Sequence, residues 1–180
     1  MKLIQFVTMS LFTLVAGVFW GTWFSLSRSI ASITPAAFLE TGHTMIANLG
    51  GPMSVLIPAT IVSMLVLVVV LYRRHDKAAL VLAAAALGLL VVSTAITLSV
   101  NVPIDGQIAE WTVGTLPADW EPIRNRWEFY HGLRTALTLV GAGCLFASAL
   151  WTHHGATGYS ESDAPRGLTR GRERVLQRSS

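Results

Sequence analysis

SVLIPATIVSMLVLVVVLYRRHDKAALVLAAAALGLLVVSTAITLSV, residues 54–100, is the stretch that decides the fold. Two uncharged apolar runs, 54–72 and 78–100, lie on either side of the charged turn 73–77. A helix that crosses a bilayer needs about 20 apolar residues, so each run is long enough to span it. The stretch therefore predicts two transmembrane helices that run in opposite directions.

Two further apolar runs extend this pattern to the whole chain. They cover residues 3–26 and 133–152. Charged residues make up 13% of the chain, against about 25% in an average soluble domain. We therefore predict an all-α membrane protein, a bundle of four transmembrane helices that occupies residues 1–154. The polar, arginine-containing segment 155–180 is predicted to be a disordered cytoplasmic tail.

The distribution of basic residues predicts the orientation. Basic residues close to spans stay in the cytoplasm, and most of the 13 Lys and Arg residues lie on one side of a four-span arrangement. Both termini are therefore expected in the cytoplasm, in a bacterial plasma membrane. The pI near 9.5 is explained by these flanking residues, and no nucleic-acid partner is expected. The basic residues on the inner side are Lys2, Arg73, Arg74, Lys77, Arg166, Arg170, Arg172, Arg174 and Arg178.

The first apolar run allows two interpretations. Lys2 and a cleavage site at 29–31 would fit a secretory signal peptide, but the apolar core of such a signal is about 7–15 residues long. The run 3–26 is longer, which favours a retained span. Gly17 and Gly21 have the spacing that lets two transmembrane helices approach closely. They predict a homo-oligomer formed through this small-residue face.

Two polar connections are predicted to form a cap on the outer face. In the first, 27–53, Pro35 opens a helix, and residues 36–49 form either an interfacial helix or the helical start of the second span. Residues 50–52, Gly-Gly-Pro, are expected to end that helix. The second connection, 101–126, contains most of the remaining polar residues.

One helical face at the start of the last span combines chemically useful side chains. Trp127, His131 and Arg134 are spaced i, i+4 and i+7 and share this face. Histidine exchanges a proton near neutral pH, arginine holds an oxyanion, and tryptophan offers a flat apolar wall. The structural alternative is that Trp127 is an interface anchor. Arg134 lies inside the apolar run, so we expect it to face the bundle interior, paired with Asp105 or Glu40.

Other polar residues of the cap are candidates for the same pocket. Asn101 and Asp105 lie at the outer end of the third span, where Asn101 also fits an ordinary helix stop. Glu40 and His43 are spaced i, i+3 in the first connection. The histidines and carboxylates lack a diagnostic metal spacing, and Cys144 is the only cysteine. We therefore predict no metal and no cofactor.

The motifs resemble a known family. N-x-P-I-D at 101–105, a tryptophan in the following loop, and R-W-x-x-x-H-x-x-R at 126–134 are similar to the anthrone oxygenase-like family of small four-helix membrane proteins. The resemblance covers roughly residues 1–152. Many bacterial members of that family have no assigned function.

The resemblance implies a monooxygenase-type oxidoreductase that oxidises an anthrone to an anthraquinone with O2 and no known cofactor. His131 would act as the base, while Arg134 and Asn101 would stabilise the oxyanion. An aromatic substrate would reach this site from the surrounding membrane lipid. The tryptophans expected to stack on its rings are Trp127, Trp111 and Trp120.

Two non-enzymatic functions compete with this interpretation. The chain would alternatively be a membrane assembly or envelope protein whose outer cap binds a partner. A transporter is a weaker alternative, because the spans offer few charged residues for ion coupling.

Overall fold

The computed structural model describes residues 1–27, 29 and 32–157, with side chains as far as residue 151. Four continuous helical stretches, Lys2–Ser27, Pro35–Arg73, Lys77–Glu110 and Trp120–Trp151, are long and apolar enough to cross a membrane. The predicted four-span, all-helical membrane fold is therefore confirmed. The elements are α1 (Lys2–Thr22), π1 (Trp23–Ser27), α2 (Pro35–Arg73), α3 (Lys77–Ile96), π2 (Thr97–Asn101), α4 (Val102–Glu110) and α5 (Trp120–Thr157).

The four long helices form a closed ring. α1 contacts α2 and α5, and α3 contacts the same two helices. The inner part of the bundle has an apolar core, which includes Phe12, Met64 and Leu67. α4 packs on α2, and a second apolar core around Phe38 and Ile108 lies between them. The predicted cap is thus an extension of the bundle with a core of its own.

Local sequence explains where the helices begin. Thr34 caps α2 by accepting a hydrogen bond from the backbone N–H of Ala37, with Pro35 in the first turn as predicted. Asp76 caps α3 in the same way through the N–H of Ala79. A side-chain oxygen at this position pairs with one of the free N–H groups of the first turn. The charged turn between α2 and α3 is therefore as short as the sequence indicates.

The expected break at residues 50–52 is wrong. α2 continues through this Gly-Gly-Pro segment without interruption, so residues 36–49 are the helical start of the second span. Transmembrane helices tolerate glycine and proline in their interior, because neighbouring groups and small local adjustments satisfy the freed backbone carbonyls. A Gly-Gly-Pro segment, which would end a helix in water, is therefore a weaker indication of a helix end inside a membrane span.

Asn101 is not a helix stop. The chain passes from α3 through π2 directly into α4, so the outer connection is helical as far as Glu110. A π-helical turn inserts an additional residue into a helix, and such turns are frequent at functional sites. Both ends of π2, Thr97 and Asn101, are buried. The inserted residue therefore aims these two polar side chains at the bundle interior.

The predicted disorder of the tail and the predicted homo-oligomer contact through Gly17 and Gly21 remain predictions. α5 continues to Thr157, and the rest of the predicted tail, 158–180, lies outside the described residues. A Cβ atom built at Gly17 or Gly21 would meet no described atom within 4 Å. Within this chain, the pair therefore lines an open groove between α1 and α2. A contact with a second copy is untested.

Gly141 marks the closest approach between helices, and it provides a test of the packing. A Cβ atom there would lie 3.0 Å from Phe12 Cζ and 3.4 Å from the Ala86 carbonyl oxygen. Gly141→Val should therefore destabilise the bundle by about 1–3 kcal/mol through overpacking, seen as a lower midpoint of heat-induced aggregation in detergent. Gly143→Val is the matched control, because no described atom lies within 4 Å of its Cβ position. Equal midpoints for the two variants would contradict this packing.

Candidate functional site

His131 is the centre of a buried polar cluster in the half of the bundle that carries α4. Its side chain is 0% exposed and stacks on Trp127, with ring centroids 4.8 Å apart and an interplanar angle of 18°. Nδ1 accepts hydrogen bonds from Arg134, from Nε at 3.0 Å and from Nη2 at 2.8 Å. The helical face predicted from the i, i+4, i+7 spacing is therefore present, and His131 contacts both of its other members.

Arg134 faces the interior, as predicted. Its Nη1 donates to Thr97 Oγ1 at 3.0 Å, and the guanidinium carbon lies 4.5 Å from the centroid of the Phe19 ring. Its side chain thus joins α5 to π2 and α1. All of its direct hydrogen-bond partners in the described part of the chain are neutral.

The predicted ion pair of Arg134 with Asp105 or Glu40 is wrong. Among the described residues, the single ion pair joins Arg124 to Glu128 at 3.8 Å. Glu40 is exposed, and the Asp105 carboxylate is held elsewhere and acts on Arg134 only through a longer electrostatic attraction. Burying a cation without a neighbouring anion is costly. Among the described residues, Arg134 therefore lacks a directly bonded anion, and an anionic ligand group would supply one.

Trp127 links the cluster to the cap. Its indole Nε1 donates to Asp105 Oδ1 at 2.7 Å, and its backbone carbonyl accepts from Asn101 Nδ2 at 3.2 Å. The Trp127 side chain is therefore held by α4 at its edge and covers His131 with its face. This explains why Trp127 is a member of the cluster rather than a lipid-facing anchor.

Hydroxyl groups hold the deeper side of the cluster in place. Ser93 Oγ lies 2.9 Å from Thr138 Oγ1 and donates to the Arg134 carbonyl at 3.2 Å. Thr135 Oγ1 donates to the His131 carbonyl at 2.7 Å. In lipid, polar groups need protein partners, and the two bonds of Ser93 connect α3 to α5 beside the cluster. They make the backbone that presents His131 and Arg134 rigid.

Two atoms of the cluster have no hydrogen-bond partner among the described residues. His131 Nε2 and Asn101 Oδ1 are both fully buried and unpaired. An unsatisfied buried polar group costs about 1–3 kcal/mol, so each needs an explanation. A bound ligand that completes both hydrogen bonds would supply one.

The other predicted site residues lie in the cap and away from this cluster. The ring nitrogen Nε2 of His43 lies 2.8 Å from the Ile108 carbonyl and tethers α4 to α2. Trp111 and Trp120 pack into the cap core, and Trp120 also lies against Arg124, 4.9 Å from the guanidinium carbon. Within the described residues, no group of three His, Cys, Asp or Glu side chains is placed to hold a metal ion.

Three residues of the site were not predicted. Thr97 precedes Asn101 by four residues, a spacing that would have placed both on one helical face. Phe19 comes from α1 and Trp23 from π1, and nothing in their local sequence indicates a contact with α5. A Cβ atom at Gly132 would lie 3.0 Å from Trp23 Nε1, so this glycine lets the indole approach the helix.

The cluster is closed in this structure. A groove of about 550 Å³ lies between α1 and α2, and one of about 450 Å³ lies between α1 and α5 at the opposite end of the bundle. Neither is lined by His131 or Asn101. A ligand that reaches these atoms must therefore displace neighbouring side chains.

Fold and site together define a four-helix membrane protein with a buried Arg–His pair inside its bundle. The sequence model of the anthrone oxygenase family matches residues 49–144. The chain therefore belongs to the anthrone oxygenase family, and the resemblance seen in its motifs is confirmed. The matched segment includes Asn101, His131 and Arg134. No curated protein and no solved structure matches the chain.

Proposed function

We propose that the chain is a membrane-embedded oxidoreductase that uses O2 to convert a lipid-soluble aromatic compound of the anthrone type into a quinone. Family membership and the membrane setting support this class of reaction. One observation carries the assignment to these residues: Nε2 of the buried His131 is unpaired while Arg134 holds Nδ1. Preorganised donors of this kind stabilise a developing oxyanion in a site that excludes water.

The proposed reaction balances with one O2 consumed and one water released. The benzylic CH2 of the anthrone loses a proton, and the resulting enolate carries its charge on the carbonyl oxygen. The enolate carbon gives its electrons to O2 and becomes a hydroperoxide. Loss of water then breaks the O–O bond and the second C–H bond and leaves a new carbonyl group.

His131 is assigned the role of donor to the enolate oxygen. Arginine has no acceptor, so the Nδ1 atom that faces Arg134 must supply a lone pair. The proton of the neutral imidazole is then on Nε2, which leaves this nitrogen without a lone pair to act as the base predicted from the sequence. The guanidinium also polarises the ring and strengthens the Nε2–H donor.

Asp105 is assigned the role of proton acceptor. Its carboxylate is half-buried at the outer edge of the cluster, where it can exchange the proton with water. The Trp127 indole orients it through Oδ1. A positioned carboxylate of this kind contributes typically 10²–10⁴-fold to a proton transfer.

A cap that binds a protein partner is not favoured as the function of these residues. A contact surface must be accessible, whereas His131 and Asn101 are fully buried. Their free atoms face the bundle interior, where a small molecule fits the chemistry better than a protein surface.

Isotope labelling of the product tests the proposed function. The full chain in lipid nanodiscs is supplied with anthrone and ¹⁸O2, and empty nanodiscs correct for spontaneous oxidation. We expect anthraquinone with one ¹⁸O atom, formed faster than in the empty discs, without stoichiometric hydrogen peroxide. A rate equal to that of empty discs would refute the proposal.

We also propose that both termini are cytoplasmic, which places the cap and the His131 cluster toward the outer face. The asymmetry of Lys and Arg supports this orientation. In a Cys144→Ser background, a cysteine at Thr115 should react with an impermeant maleimide added to intact cells. A cysteine at Asp76 should react only after permeabilisation. The reverse pattern would overturn the orientation.

A further inference from the structure

Asn101 presents a free hydrogen-bond acceptor at the site. Its side chain is 0% exposed, and its Nδ2 donates to the Trp127 carbonyl at 3.2 Å. Because a carbonyl only accepts, this bond fixes which end of the amide is nitrogen. Oδ1 is therefore the end left unpaired in the interior, and only a donor can complete it.

Trp127 contacts both the residue with the free acceptor, Asn101, and the residue with the free donor, His131. Asn101 is bonded to the backbone of Trp127, and the ring of Trp127 stacks on His131 one turn further along α5. The buried acceptor belongs to a residue that bonds the Trp127 backbone, and the buried donor belongs to the ring that stacks on the Trp127 side chain. A ligand that satisfies both must carry an accepting oxygen and a hydroxyl hydrogen.

We propose that Asn101 is a specificity-determining residue, whose Oδ1 accepts a hydrogen bond from a hydroxyl group on the aromatic ligand while His131 Nε2 donates to a ligand oxygen. The inference rests on the proposed function for the nature of the ligand. It departs from the oxyanion role predicted for Asn101, because one Nδ2–H bonds Trp127 and the amide atom left without a partner among the described residues is the acceptor Oδ1.

Selectivity follows from the cost of leaving a buried acceptor unpaired. A site built to bond a hydroxyl group rejects analogues that lack it far more strongly than an apolar pocket rejects a change in size. One unpaired acceptor corresponds to about a tenfold or greater loss of affinity. O-methylation of the ligand removes the hydrogen and so removes the bond.

Binding of two anthraquinones that are not turned over tests this inference apart from catalysis. Equilibrium dialysis against nanodiscs of the full chain, corrected with empty discs, compares 2-hydroxyanthraquinone with 2-methoxyanthraquinone. Wild type should bind the hydroxy compound at least about tenfold more tightly. In Asn101→Leu the ratio should fall toward one, and the methoxy compound should bind at least as tightly as it does to wild type.

The outcomes separate this inference from the proposed function. Stronger binding of the methoxy compound to the leucine variant cannot result from misfolding. If the leucine variant does not fold, Asn101→Ala, which adds no bulk, replaces it. A wild-type ratio near one, or a preference that survives either substitution, overturns the role of Asn101. Because neither probe is oxidised, the ratio is measurable even where anthrone turnover fails.

Discussion

His131→Phe is expected to lower the rate of anthrone oxidation by about 10²–10³-fold, the usual cost of removing one donor to an oxyanion. Phenylalanine keeps an aromatic ring against Trp127 but removes both ring nitrogens. It also leaves Nε and Nη2 of Arg134 without their acceptor, so some loss of stability is expected as well.

His131→Gln distinguishes a role of His131 as hydrogen-bond donor from a role as base. The glutamine carbonyl can accept from Arg134 in place of Nδ1, and the amide nitrogen can donate to the ligand in place of Nε2. Glutamine cannot take up a proton at neutral pH. Activity well above that of the phenylalanine variant would therefore support the donor role. If the phenylalanine and glutamine variants both fold and lose activity equally, His131 instead acts as the base.

Arg134→Lys complements this comparison. An ammonium group cannot reproduce the planar fork that contacts both His131 and Thr97. We expect a lower rate in this variant, with the charge retained, because the histidine ring loses its fixed orientation. The measured quantity is the initial rate of O2 consumption in nanodiscs.

Asp105→Asn should lower the rate of oxidation by at least about 10²-fold, because it removes the proposed proton acceptor. The substitution changes little else. Asparagine keeps an Oδ1 atom that can accept from the Trp127 indole, so the stacking of Trp127 on His131 should persist. Binding of 2-hydroxyanthraquinone should consequently change far less than the rate.

Asp119→Asn is the matched control for this prediction. It makes the same chemical change at an exposed carboxylate in the outer loop. Its rate should equal that of wild type. If Asp105→Asn also retained the wild-type rate, the proton acceptor would have to be sought elsewhere, without loss of the donor role of His131.

Much of the site was accessible from the spacing of residues within one helix. Trp127, His131 and Arg134 lie on a single α-helix, whose period places them on one face regardless of what surrounds it. The high cost of a charge inside an apolar run correctly predicted that Arg134 points inward. It did not identify the partners of Arg134, because Thr97 and Phe19 belong to other helices.

The sequence by itself determined the four spans, because the length and apolar character of a segment decide whether it crosses a bilayer. The tertiary structure alone decided that α2 runs unbroken through 50–52 and that π2 turns Asn101 inward. It also decided that Asp105 bonds Trp127 rather than Arg134. These outcomes depend on contacts between helices that are distant in sequence. Local sequence signals allow several structures at these positions and cannot decide between them. The unpaired atoms of His131 and Asn101 became recognisable only once every other polar partner nearby had been placed.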